Sequence, residues 1–354
     1  MNINIKPHFS KKRFWAGILL AQFLLFFSLS KVEFAVNFFS DFFQFQKGFH
    51  QMLFSQVPFS VGDVFYIALG IVLLYFILKI SNKKSRKIFL LRLLIVLNIL
   101  YFTYQLFWGM LYIQKPLIEN LPKGAITLAE TKALTLKYLV LCKESRQLVK
   151  EDKNGVFMMT DLKKMKNDIL QNQKNLQTLE GHKKGENINA FKPSLFEGVI
   201  SYSGILGYYN PFTAEAQYNA ELPSTYLPFT LAHESMHQLG FAREQEANFT
   251  AYLIGKNATN LELKYSTEYF VLKSLLNSLS EKNPEFVKLV IQNYSPEMKR
   301  DRSADKAFAN KHKGILDMIF EYTNDLFLKS NQQEGSVTYS YFVDLLIRYE
   351  RGIR

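Results

Sequence analysis

His233 and His237 stand four residues apart, with Glu234 directly after the first. At about 3.6 residues per helical turn, that spacing stacks two imidazoles on one face, where both can address a single ion. Glu234 then falls beside the ion rather than on it. A carboxylate in that place suits removal of a proton from a metal-bound water, whose pKa Zn²⁺ lowers to about 7. The chemistry on offer is general-base hydrolysis. The bland alternative is a surface helix that carries two histidines by chance.

A metal site of this kind needs a third ligand from another segment. Gly240 is a natural helix stop, and a second helix is expected from about Ala242 to Ile254. On that helix Glu244, Ala247, Asn248, Ala251 and Tyr252 share one face by their spacing of three and four, while Glu246 points to the opposite side. Glu244 is therefore the expected third ligand, and Asn248, one turn on, the residue to hydrogen-bond a ligating histidine. The order E-x-x-A-N resembles the E-x-x-x-D signature of gluzincins, in which the glutamate binds zinc. A rival register stays open. The step from His237 to Glu244 is short for that class, and H-E-x-x-H-x-x-G-x-x followed by Arg243 mimics a metzincin pattern whose third histidine has become arginine. A guanidinium has no lone pair to give a metal. A turn that presents position 243 would leave the site without a third ligand and the chain without catalysis.

The elements around the motif divide by composition. The chain has 354 residues, 48% of them hydrophobic, with 32 phenylalanines, and the excess is local. Three apolar runs, at about 14–30, 64–80 and 93–114, are read as transmembrane helices. The first has a second reading as a cleaved leader, and the others as buried core helices. Of the net charge of +12, +9 falls in residues 1–114. The basicity is therefore a membrane signal, and no nucleic-acid partner is expected. Lys11, Lys12 and Arg13 share a side with Lys83, Lys84, Arg86, Lys87 and Arg92 if the first two helices form a hairpin, and the positive-inside rule makes that side cytoplasmic. The third helix then delivers residues 115–354 outside. The aromatic stretch 34–60 suits a helix lying at the outer interface, with His50 an interfacial residue. Lone Cys142 excludes an internal disulfide. The apolar runs hold no interior charge with which a transporter would couple an ion.

After Pro116 helical periodicity begins. Leu134, Tyr138, Leu141 and Leu148 mark one amphipathic helix, Thr160 to Glu180 another, and Pro284 to Gln292 and Ala304 to Lys329 two more. The stretch "GHKKGENINAFKPS" reads as a loop with His182 solvated, and His312 between two lysines reads as exposed. The segment from Phe196 to Thr230 is β-branched, aromatic and punctuated by Gly and Pro, so short strands or a hairpin precede the motif helix. Such a strand either borders a cleft and holds an extended peptide by main-chain pairing, or is simply core. Glu215 and Asn219 are candidates for substrate contact or for turn capping. Tyr339 and Tyr341, in the tail, are candidates to stabilise a tetrahedral oxyanion, with core packing as the alternative.

Several runs now read together: "VPFSVGD" from Val57, "WGMLY" from Trp108, "GYYNPFTAEAQYN" from Gly207, "LPFTLAHESMHQLGFAREQEANF" from Leu227 and "EGSVTYSYFVDLL" from Glu334. Over most of its length the chain resembles a bacterial membrane-protein family catalogued as domain of unknown function 3810. That resemblance implies a zincin-like metallopeptidase behind three transmembrane helices. The expected fold is mainly α: a membrane domain at 1–114, then an α+β zincin-like domain at 115–354 with the H-E-x-x-H helix and a small sheet. The expected function is a zinc-dependent peptidase in the bacterial inner membrane, N-terminus cytoplasmic and site extracytoplasmic. Its ligands would be His233, His237 and Glu244, its base Glu234, and its partners the bilayer and a peptide or protein substrate. The rival is a non-catalytic scaffold or peptide-binding receptor that keeps the site.

Overall fold

The computed structural model describes residues 11–174, 176, 183, 185, 190–330 and 338–353. Helices α1 (Lys12–Leu29), α2 (Glu33–Ser55), α3 (Val61–Ser81) and α4 (Arg86–Phe107) open it. Of these α1, α3 and α4 are long and apolar enough to cross a bilayer, with mean hydropathies of 1.3, 2.3 and 1.7. Their outward faces expose large apolar side chains such as Phe23, Ile71, Leu74 and Ile99, an arrangement suited to lipid rather than water. The third apolar run does not stay helical to its end. Its helix begins earlier, at Arg86, and stops at Phe107, because Trp108 leaves the helical backbone at φ −147°, ψ −50° and Gly109–Ile113 wind into a 3₁₀ turn. Hydropathy cannot mark that break, since apolar residues line both sides of it.

A second 3₁₀ turn (Leu117–Asn120) leads to α5 (Leu128–Arg146), whose start is fixed by reciprocal capping between Thr127 and Glu130. Then come α6 (Leu162–Gln173) and strands β1 (Phe191–Pro193), β2 (Gly207–Asn210) and β3 (Glu215–Tyr218). Helices α7 (Leu227–Leu239), α8 (Glu244–Lys256), α9 (Leu261–Leu279), α10 (Pro284–Gln292), α11 (Pro296–His312), α12 (Ile315–Ser330) and α13 (Thr338–Ile353) complete the described chain. The sheet order is β1-β3-β2, with β1 parallel and β2 antiparallel to β3. The protein is thus mainly helical with one small sheet.

Three local readings are corrected. β1 falls in the stretch taken as loop, since three residues are too few to show a period-two signal. The helix expected over 304–329 is two, separated at Lys313 and Gly314. His312 is buried rather than exposed: its Nδ1 meets the Phe308 carbonyl at 2.9 Å and Tyr202 packs edge-on to its ring. His182 lies outside the described residues.

The core centres on α9, where Leu263, Tyr265, Val271, Leu272 and Leu275 are fully buried against α5, α7, α8 and α13. Burying each aliphatic side chain there contributes about 1.5–3 kcal/mol. Composition changes near residue 115, but packing runs across that point. Phe43 of α2, Trp108, Leu111 and Tyr112 form one apolar cluster with Ala242 of the turn before α8. The sheet also grips α3. Glu215 accepts the backbone N–H groups of Val61 (3.2 Å) and Gly62 (2.6 Å), and Asp63 accepts the Tyr208 hydroxyl (2.6 Å) and the Leu195 N–H (2.8 Å). A carboxylate on the open N–H groups of a first helical turn satisfies donors that have no intrahelical partner. The middle of α2, the start of α3 and the segment just beyond α4 therefore meet the C-terminal region, while the end of α1 packs on α2 and α4. The basic clusters at Lys11–Arg13 and Lys83–Lys87 lie at the opposite ends of α1, α3 and α4.

Candidate metal centre

Helix α7 starts with Pro228 in its first turn, where a missing N–H costs nothing, and carries His233 and His237 one turn apart. It ends at Gly240, whose φ of +94° a residue with a side chain adopts only under strain. The Phe241 N–H returns to the Met236 carbonyl (3.1 Å) and the Gly240 N–H to that of His237 (2.9 Å), the Schellman pattern. Four residues after Gly240, α8 begins with Glu244 at its first position. The tight turn brings Glu244 back over the histidines, and its carboxylate sits at the positive end of α8.

The geometry settles the register of this turn. His233 Nε2 lies 3.1 Å from His237 Nε2 and 3.2 Å from one Glu244 oxygen; the other oxygen is 3.6 Å from His237 Nε2. Arg243 turns away to pair with Glu246 (3.1 Å), which also accepts the Leu117 N–H (2.9 Å). Position 244, not 243, faces the histidines, and Glu246 is on the far side as its spacing requires.

These atoms fit Zn²⁺. Metal–ligand bonds of about 2.0–2.1 Å at tetrahedral angles hold neighbouring ligand atoms about 3.3–3.4 Å apart; the closest approaches here, 3.1, 3.2 and 3.6 Å, bracket that separation, and one ligand atom from each residue lies within 4.8 Å of the others. The donor set of two imidazoles and a carboxylate is one zinc accepts. The Nδ1–H of His237 donates to the Phe241 carbonyl (2.7 Å), which leaves Nε2 with its lone pair towards the centre. Asn248 approaches His233 from α8 and favours its protonated form, although no well-formed hydrogen bond reaches His233 Nδ1.

Electrostatics separate the four groups. Burial pushes Glu234 up to about 8, His233 acting against the shift and the Glu244 charge with it. Burial takes His237 down to about 4, Glu244 opposing. Glu244 is held at about 2: burial works against this, but His237 and His233 outweigh it. For His233 burial is again outweighed, by the Glu244 hydrogen bond and the charges of Glu234 and Glu244, and the shift is upward. One Glu234 oxygen, Oε2, is buried with no hydrogen-bond partner. A buried carboxylate oxygen without a partner is costly in a merely structural position.

Residues that sequence reasoning did not connect with the centre wall it in. A Cβ built on Gly207 of β2 would lie 2.8 Å from both Cγ and Oε1 of Glu234, so the strand's backbone is the floor on which this carboxylate rests. Trp108 stands edge-on to His237 at 5.8 Å between ring centroids and packs at a tilt of 36° on Tyr209 at 4.4 Å. Tyr112 receives the Trp108 indole N–H (3.2 Å) and lies near enough to Glu244 for that charge to add to the upward shift that burial gives its phenol. Phe43 presses on the Gly240 turn, where a Cβ would come within 2.8 Å of its ring. Gln44 donates to the Leu239 carbonyl (3.0 Å), and Lys183 reaches that of Gly240 (3.1 Å), so the open end of α7 is capped from two sides. One signal was available: Trp108, one of only two tryptophans, stands beside a glycine inside the third apolar run.

The other candidates have other surroundings. Glu215 is fully buried on the start of α3, and Asn219 bridges Ser201 (3.0 Å) and the Glu221 N–H (2.9 Å), and neither groups with the histidines as a ligand. Tyr341 is half-buried in the first turn of α13. Its neighbour Phe342 packs on Tyr252, two turns along α8 from Glu244, a distance of about 12 Å at 1.5 Å per residue. The side chain of Tyr339 lies outside the described ones.

No curated protein and no solved structure matches the chain. A family model does, across residues 38–347, from α2 to α13 and through the whole candidate centre. The chain belongs to the family described as "Protein of unknown function (DUF3810)".

Proposed function

We propose that the protein is a membrane-anchored, zinc-dependent peptidase of zincin type. The observation that carries this reading is the convergence of His233, His237 and Glu244 to 3.1–3.6 Å, with the buried Glu234 carboxylate next in line. Zinc held there would supply a Lewis acid that makes a water acidic near neutral pH and polarises a carbonyl. Glu234 is the base. Its carboxyl, raised by burial, would be drawn back to the charged form by a cation held in front of it, and on the floor formed by Gly207 it would take the proton from the attacking water and pass it to the departing amine nitrogen. His237, fixed by the Phe241 carbonyl, keeps one tautomer throughout, and Trp108 and Tyr209 shield its ring from bulk water. The orientation that follows from the basic clusters puts the N-terminus in the cytoplasm of a bacterium and this centre outside its inner membrane.

A structural zinc site fills its fourth position with protein and needs no base. Among the described residues only His233, His237 and Glu244 group as ligands, and Glu234 is present. Both points favour the enzyme over a scaffold. The test is Glu234→Gln in the purified, zinc-loaded protein: metal content unchanged and peptide hydrolysis lost. Wild-type hydrolysis in that variant would remove Glu234 from the mechanism.

A further inference from the structure

Resting on the peptidase reading, we propose that the substrate is a polypeptide anchored in the bilayer and cut within a few residues of the membrane's outer boundary. Three observations place the centre at that boundary. The first is α2. Its outer face carries Phe34, Phe38, Phe45 and Phe49, exposed by 81, 56, 84 and 60%. It joins the apolar surface of the spans through Phe26–Phe39 and the stacked pair Phe42–Phe107. Lipid is the occupant that continuity with the spans selects for this face. The opposite side of the same helix holds the turn between His237 and Glu244, through Phe43 and Gln44. One helix diameter, about 10 Å, therefore separates the acyl chains from the ligand turn.

The second observation is Trp108, the first residue beyond α4, whose ring touches that of His237. The third is the direction of β2, one of the two edge strands of the sheet. It starts with Gly207 under Glu234 and ends with Asn210, whose amide would meet a Cβ built on Gly62 at the head of α3. An extended polypeptide lying along this edge is led from the general base to the start of a membrane helix in four residues. Such a path suits a chain emerging from the bilayer. A soluble peptide gains nothing from it, whereas anchoring raises the local concentration of a scissile bond at this depth.

The test uses the full chain, zinc-loaded, in vesicles of phosphatidylethanolamine and phosphatidylglycerol. A randomised peptide library is presented on a single transmembrane helix through a short spacer, through a long one, and free in solution, with cleavage read by mass spectrometry. The expected result is cleavage of the short-spacer library at least about tenfold faster than of the free one. A second readout does not depend on activity. Trp15→Phe leaves Trp108 as the sole tryptophan, and quenching by lipids spin-labelled at graded depths should be strongest for the shallow labels. Equal cleavage of free and anchored libraries would overturn the substrate class and leave the peptidase standing. Absence of quenching at every depth would take the centre off the membrane and overturn the proposal whatever the activity. Quenching with no cleavage of any library would defeat the peptidase reading, and the substrate class with it.

Discussion

Gly240→Ala perturbs the turn on which the centre depends, and its cost divides into two parts. The first is backbone strain: an L-residue in the left-handed region loses about 1–2 kcal/mol. The second is steric. The new methyl would sit 2.8 and 2.9 Å from two ring atoms of Phe43, a rigid side chain that is itself fully buried. Overpacking of that kind costs about 1–3 kcal/mol. The sum is about 2–5 kcal/mol. Gly198 provides the control, since its φ is +75° with nothing within 4 Å of a built Cβ, so Gly198→Ala carries the strain alone. Unfolding of both variants and wild type in the same vesicles, followed by heat and by denaturant, should rank Gly240→Ala as clearly the less stable. Phe43→Leu, which removes ring atoms at the clash, should recover part of the loss in the Gly240→Ala background while destabilising the wild type. Zinc content should fall in Gly240→Ala and not in Gly198→Ala, because only the first moves Glu244 relative to the histidines. Equal stability of the two alanine variants would refute the claim that α2 holds the ligand turn in place.

Gly207→Ala should retain zinc but lose hydrolysis about 100-fold, since displacing a reacting group by about 1 Å costs on that order. Metal analysis beside turnover checks it, and loss of metal in this variant would mean that β2 supports the ligands rather than the base. At the chain's other end Arg351 holds the Glu130 carboxyl at about 2, first through its hydrogen bond and then with help from Thr127. Because the folded value lies below the ordinary 4.5, whatever stability this clip adds is complete above pH 4.5 and drains away as pH falls towards 2. Arg351→Ala should return Glu130 towards its ordinary range in an NMR titration and flatten that acid limb of the stability curve.

What could be read in advance was local. The i, i+4 histidines, the glycine stop, and the face that Glu244 shares with Asn248 all follow from helical periodicity within a single run of the chain. So do the length and apolar character of α1, α3 and α4. What could not be read is contact between distant segments. Nothing in the aromatic stretch 34–60 says that Phe43 and Gln44 meet a turn some two hundred residues later, or that Glu215, a plausible ligand for substrate, spends its carboxylate on the head of α3. His312 shows the same limit: flanking lysines suggest exposure, but a helix turns one face inward whatever its neighbours in sequence are. The misplaced end of the third span has a different cause. Hydropathy reports which residues prefer lipid and not where the backbone leaves the helix, and it is the segment after that break, with Trp108 and Tyr112, that walls the centre.

The central claim is that His233, His237 and Glu244 together hold one zinc ion. Elemental analysis of the purified full chain beside its Glu244→Ala, Arg243→Ala and Glu246→Ala variants tests it most directly. About one zinc per chain in the wild type, kept in the Arg243 and Glu246 variants and lost in that of Glu244, is the predicted result. A wild type that takes up no zinc even after incubation with it, or a Glu244→Ala variant that retains it in full, would contradict the account.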